Sequence, residues 1–351
     1  MSLIDLPQAK WATGTGRQVI LKGDFEKIED AVMESFELAQ APSLEYASAS
    51  QVRVPATADV KARALLLGFP SPLHRGVWVD GDLSDGRYRE NSSTVTLDLA
   101  QTGSLWGTEK ASQWYCVYAV AGSADTTFTL KAMPVMRVSS QATQVISLRN
   151  TANTANIGYG LTANELVDAK VLVLTGTSRG LIRTITANNS DNGTGGTVTY
   201  GGSALTLAQG DWFVVLPNTN FRSLGMVLNN ASSDLTPFWQ CGRRMEYLAP
   251  RDLASGAING YTLFDLALVA PPTARTVEGY AGATAGYDLK CAISYDGANP
   301  ALILHGSPPA ATFQGVRGAM PFACRVLDSH ALYLNNENTA NQLVRVLAWE
   351  E

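Results

Sequence analysis

Gly176-Thr-Ser178-Arg-Gly180 has the spacing of a nucleophile elbow, in which a sharp strand-to-helix turn holds a serine hydroxyl up to an acyl carbon. That chemistry needs a histidine base, and the chain offers three histidines, His74, His305 and His330. β-branched runs flank the motif on both sides, so the expected element is a hairpin turn and the serine has no elbow to sit on. Asp80-Gly-Asp82-Leu-Ser-Asp85-Gly86 resembles a calcium loop but is one residue out of step with it and lacks the closing glutamate, so an acidic turn is expected. Asp80, Asp82, Asp85 and Glu90 are also clustered, and carboxylates in pairs are what glycoside cleavage needs. A solvated loop accounts for them, and no β-helix repeat accompanies them. Lone histidines without local partners predict core or surface residues, not metal ligands.

Cys116, Cys241, Cys291 and Cys324 form no CxxC unit, and a disulfide framework is not expected in a chain this long with so few, so free buried thiols are the expectation. Sugar rings can stack on exposed indoles, for which Trp106, Trp212, Trp239 and Trp349 are candidates. Trp212 and Trp239 lie in strand-like runs, where burial is the expected fate; Trp106, in Ser-Leu-Trp-Gly-Thr, is the expected loop residue. No catalytic, cofactor or metal site emerges.

The elements that would position these residues are overwhelmingly strands. Thr94 to Leu99 alternates apolar and polar, as do Thr127–Lys131, Leu181–Thr186 and Leu343–Trp349. Trp114 to Val120 is apolar on both faces, like the central strand of a sandwich. Gly, Asn, Asp and Pro punctuate the runs, which predicts β-sandwiches or barrels and argues against βαβ units. Residues 137–217 hold four or five short strands with polar turns such as Asn188 to Gly196, and a small closed barrel would hide their edges. Residues 250–351 carry a further set for a separate sandwich.

One segment reads as helix, over 24–40. Asp24 is the N-cap, Phe25, Ile28, Val32 and Ala39 form an apolar stripe, and Pro42 ends it. The stripe packs on its own domain or forms a short coiled coil between subunits; in the second case Phe25, Ile28, Val32 and Ala39 are interface residues.

Trp114-Tyr115-Cys116-Val117-Tyr118-Ala119-Val120, with its Gly- and Ser-rich lead-in, resembles a Trp-Tyr-x-Val-Tyr strand of bacteriophage tail-fibre and virion appendage proteins. Asn218 to Asn229, followed by Leu235-Thr-Pro-Phe238, is similar to their Arg-x-(Ile/Leu)-Gly-x-Val strand, turn and Pro-Phe, and Val269 to Val277 to the strand entry of the domain that often follows. The resemblance is to a scaffold and carries no catalytic residue. In such proteins the first two segments share one domain, so 137–217 is read as a barrel inserted into a sandwich made of 46–136 plus 218–249. Residues 1–45 are then the attachment segment.

The resemblance implies a mainly β, multi-domain virion structural protein. It would be a fibre or appendage subunit, expected as a homotrimer bound to other virion proteins. A head fibre or capsid decoration protein and a host-glycan receptor-binding protein are the alternatives, with a polysaccharide hydrolase last. Composition bears on partners directly. Only 16% of the 351 residues are charged, the net charge is −5 and the pI is near 5.3, so the basic footprint needed to grip a phosphate backbone is missing and no nucleic-acid partner is expected. No apolar run approaches 18 residues and no basic-then-apolar leader opens the sequence, so neither membrane insertion nor secretion is expected; assembly into a virion in the bacterial cytoplasm is.

Overall fold

A computed structural model describes residues 44–55, 62–66, 88–91 and 93–350, apart from short breaks at 102, 104, 123–124, 126, 150–157, 192–195, 242–243, 284–288, 307–316, 328 and 337–341. The expected helix over 24–40, with Phe25, Ile28, Val32 and Ala39, and the Asp80–Gly86 loop lie outside these residues. Every regular element among the described residues is a strand, so the fold is mainly β.

The first strands are β1 (Glu45–Tyr46), β2 (Gln51–Val54), β3 (Ala62–Leu66), β4 (Tyr88–Asn91), β5 (Val95–Asp98), β6 (Trp114–Ala121) and β7 (Thr129–Pro134). Six strands follow: β8 (Met136–Ala142), β9 (Val145–Arg149), β10 (Lys170–Val173), β11 (Ile182–Asn188), β12 (Thr197–Tyr200) and β13 (Trp212–Leu216). Then come β14 (Asn220–Leu228), β15 (Phe238–Cys241), β16 (Arg244–Ser255), β17 (Ile258–Asp265) and β18 (Thr276–Ala283). The chain ends with β19 (Leu289–Ser294), β20 (Pro300–Gly306), β21 (Arg317–Arg325), β22 (Ala331–Asn336) and β23 (Gln342–Glu350).

β8 to β13 close on themselves in the order β10-β11-β12-β9-β8-β13, every pair antiparallel, with β13 returning to β10. Closure leaves no unpaired edge. Met136, Val138, Ile146, Val171, Val198, Phe213 and Val215 are all fully buried there. Two carboxylates brace the barrel's turns. Asp191 accepts hydrogen bonds from the Tyr159 and Leu161 amides, each at 2.6 Å, and Asp211 accepts from Ala208 N–H at 2.8 Å and Thr175 Oγ1 at 3.3 Å. Gly158 lets the chain pass Asp191, since a Cβ there would stand 2.1 Å from the Asp191 carbonyl oxygen.

β6 pairs with β14 on one side and β7 on the other, and all eight of its residues are buried. A strand buried on both faces must be apolar throughout, which is what Trp114 to Ala121 provides. β7 leads into the barrel and β14 leaves it, so the barrel's chain begins and ends beside β6.

The last sheets, β15-β16-β23-β18-β21 and β17-β22-β19-β20, form a sandwich. Burial, and secondarily the neighbouring Cys291 thiol of the opposite sheet, pushes Cys324 up to about 12, so both thiols stay protonated. Cys116, Cys291 and Cys324 are free and buried, as expected. β16 runs without a break through residues 249 and 250.

Where β6 meets this sandwich, Trp114 and Trp349 pack edge to face with ring centroids 5.6 Å apart, and Tyr247 lies 4.8 Å from Trp349. Trp114 Nε1 donates to the Ala267 carbonyl at 2.7 Å, while Trp349 Nε1 is buried without a partner. Replacing either indole by phenyl removes the same volume, but only Trp114→Phe strands a buried carbonyl, and Trp349→Phe removes an unpaired donor. Trp114→Phe is therefore expected to cost about 1–3 kcal/mol more than Trp349→Phe, read from denaturant midpoints of the two variants.

Candidate interaction surface

Ser178 lies in the turn joining β10 to β11, between two strands. Its side chain is buried and Oγ accepts the Thr206 amide at 2.7 Å, while Arg179 N–H donates to the Gly176 carbonyl and Gly180 takes a positive φ. Backbone bonds thus close a hairpin turn, as the flanking β-branched runs imply, and the hydroxyl ties that turn to the loop between β12 and β13. Glu90 and His305 fall on β4 and β20; His74 lies outside the described residues. Among the described residues no three His, Cys, Asp or Glu side chains gather as metal ligands would.

The four candidate indoles separate sharply. Trp212 and Trp349 are 1% exposed. Trp106 packs partly buried against the core with the Lys131 ammonium 5.1 Å above its ring. Trp239, expected in the core, is 55% exposed. The physical reason is its strand. β15 is the edge of its sheet, with Phe238 and Gln240 turned inward and Trp239 on the outer face. Gln240 fixes that orientation by accepting the Leu44 amide at 2.7 Å and donating to the Leu224 carbonyl at 3.0 Å.

Cross-strand pairing builds the rest of this surface. Trp239 pairs with Glu246, Glu246 with Ala348 and Ala348 with Glu278, and directly paired residues share a face. One rung across four strands thus presents an indole and two carboxylates, with the Ala348 methyl buried between Glu246 and Glu278. Arg244 closes over it, reaching Glu278 at 2.8 Å through Nη2 and at 3.2 Å through Nε, and Glu246 at 2.5 Å through Nη1. Hydrogen bonds that it donates to Glu278 and then Glu246 push the guanidinium further above its usual value, so it stays charged at any working pH. The fork fixes two carboxylates whose remaining oxygens can accept from a ligand's hydroxyls, beside a flat apolar ring and with one net negative charge. Leu248, 67% exposed, extends the apolar edge.

His330 is also placed where sequence gave no pointer. It is 1% exposed, and its ring stands edge-on to Trp212 on the barrel wall, centroids 5.7 Å apart. Asp265 lies 3.8 Å from its Nδ1. Arg137 stacks its guanidinium 4.6 Å from the Trp212 ring centre and bonds Asp265 at 2.7 Å.

No protein-family model matches the chain, and searches of curated proteins and of solved structures return no match.

If Trp239 is a surface side chain and not part of the core, Trp239→Ala should change unfolding free energy by less than about 0.5 kcal/mol. Trp212→Ala, which empties a fully packed site, should cost about 3–5 kcal/mol. Chemical denaturation of both variants checks the contrast.

Proposed function

We propose that the chain is a structural subunit of a bacteriophage particle, a fibre or appendage protein bound to the virion through residues 1–45. What supports this is the relation between the two segments that resemble appendage proteins. They lie about a hundred residues apart in sequence, yet Trp114–Ala121 and Asn220–Leu228 are neighbouring antiparallel strands in register from Trp114↔Leu228 to Ala121↔Asn220, with one irregularity between Ser223 and Gly225. The two segments are thus partners in one sheet, as strands of a single domain would be.

Homotrimeric assembly belongs to the same reading. Leu263, 49% exposed, and Ile303, 66% exposed, share the outer face of the β17-β22-β19-β20 sheet, where a neighbouring copy would cover them. Purified full-length chain is expected at three times its 37.4 kDa mass by light scattering, and tryptic peptides from it are expected in purified virions. A stable monomer removes the trimer, and absence from virions removes the appendage reading.

The Trp239 surface favours a second reading, recognition of host-surface glycan. A fixed polar rung beside an exposed indole suits a neutral hexose, which stacks on the ring and donates hydroxyls to the carboxylates. The net negative charge disfavours sialylated or uronic glycans. Binding on a glycan array, lost at least tenfold in Trp239→Ala with the fold intact, is the expected result; equal binding by the variant excludes this surface.

A further inference from the structure

We propose that the Arg137–Trp212–Asp265–His330 cluster is an acid-sensitive latch that joins the barrel to the C-terminal sandwich and opens when His330 takes a proton. The inference is independent of the virion reading.

The geometry is that of a junction. Arg137 on β8 and Trp212 on β13 are cross-strand partners, so they share a face of the barrel wall. It is the outer face, since Met136 and Phe213, the next pair, are fully buried in the barrel. Asp265 closes β17, and His330 ends the turn before β22; both belong to the sandwich. Among the described residues, an ion pair and a ring contact span the two bodies.

His330 holds this position at some cost. Its φ is +59°, in the left-handed region, and its backbone is tied on both sides, donating to the Leu327 carbonyl and accepting the Leu266 amide. Neither ring nitrogen makes a hydrogen bond of ordinary geometry, and polar contact with the Ala270 and Pro271 backbone, which favours the protonated ring, does not offset its burial. A buried imidazole so placed is stable only while neutral.

The charged groups around it pull in opposite directions, and burial outweighs them. Asp265 attracts an added proton, but its Oδ2 is held by Arg137 and its Oδ1 accepts the Ala267 amide at 2.9 Å. Arg137 repels the proton, and Arg149 on β9, itself within Coulombic reach of Arg137 and Asp265, adds a second cation to the neighbourhood. Tyr159, whose backbone-bound hydroxyl lies by Arg137 N, is held protonated by burial and contributes no charge. One carboxylate already faces two guanidinium groups, and an imidazolium makes three cations. Burial first, then Arg137, pushes His330 down from 6.5 to about 4, while an opened ring regains its ordinary value. The opened state therefore binds the proton more readily. The latch is at full strength above about pH 6.5 and weakens as pH falls toward 4, by up to about tenfold in the open-to-closed ratio per pH unit.

The test uses the full chain. Near-ultraviolet circular dichroism and limited proteolysis are followed from pH 7.5 to 4, with far-ultraviolet circular dichroism as the control for unfolding. The expected result is loss of the Trp212 near-ultraviolet signal and new cleavage between residues 265 and 275, or beside residue 330, at constant far-ultraviolet signal. In His330→Gln, which cannot be protonated, the midpoint should fall by at least one pH unit. Should that variant not fold, His74→Gln/His305→Gln carries His330 as its sole histidine, and its ring proton resonance reports the titration directly. A midpoint unchanged in His330→Gln, or a His330 resonance titrating near 6.5 with no change at the junction, overturns the latch.

Discussion

A single indole N–H joins the β14-β6-β7 sheet to the C-terminal sandwich. Trp114 sits at the start of the most buried strand, and its Nε1 reaches across to the Ala267 carbonyl in the turn that follows β17. That turn is a fixed object because of further bonds: Asp265 Oδ1 accepts the Ala267 amide, and the Leu266 amide donates to the His330 carbonyl. From the same carboxylate, Oδ2 extends to Arg137 on the barrel. Three sheets are thereby positioned by a chain of four hydrogen bonds passing through residues 265 to 267. The Trp349 ring packed on Trp114, with Tyr247 packed in turn on Trp349, helps exclude water from its bond, and in a dry environment a bond of this kind is costly to leave unmade.

The chain's low charge fits this construction. Where acids are placed inside, they serve backbone amides: Asp191 gathers the loop around Tyr159 and Leu161, and Asp211 fixes the turn before β13. Asp296, on the surface, does the same for the β19–β20 hairpin by accepting the Ala298 and Asn299 amides, and those bonds hold its carboxyl well below the usual range. The carboxylate in each case replaces backbone pairing that a turn lacks. Turns closed in this way need no long or charged side chains, which is why Ser, Thr, Asn and Gly can supply so much of the sequence between strands.

Local pattern made much of the strand content legible. Alternation in Thr94–Leu99 and Leu343–Trp349, and two-faced apolarity in Trp114–Val120, translate directly into β5, β23 and β6, because side-chain direction in a strand depends on parity alone. The same parity could not tell Trp239 from Trp212. Both sit in apolar strand-like runs, but Trp212's outer face meets another body and Trp239's does not, and that depends on which strand forms a sheet edge. The His330 cluster was illegible for a related reason. Its members come from β8, β13, β17 and the turn before β22, and no spacing in one dimension encodes their meeting. Ser178 is the opposite case: a motif legible in sequence whose hydroxyl is already committed to a turn.

These contrasts bear on where function can reside. Buried aromatics here are cement: Trp114, Trp212 and Trp349 each join two sheets, and removing water from between them is what makes the joints strong. An indole left 55% exposed on a sheet edge contributes little to that task. It lies instead beside the Arg244–Glu246–Glu278 fork, whose geometry is fixed by three hydrogen bonds before any ligand arrives. A surface with its polar groups already oriented loses less side-chain freedom on binding than one built from free lysines or glutamates. A scaffold that buries most of its large rings among the described residues thus leaves this one exposed beside a polar patch whose geometry is already fixed.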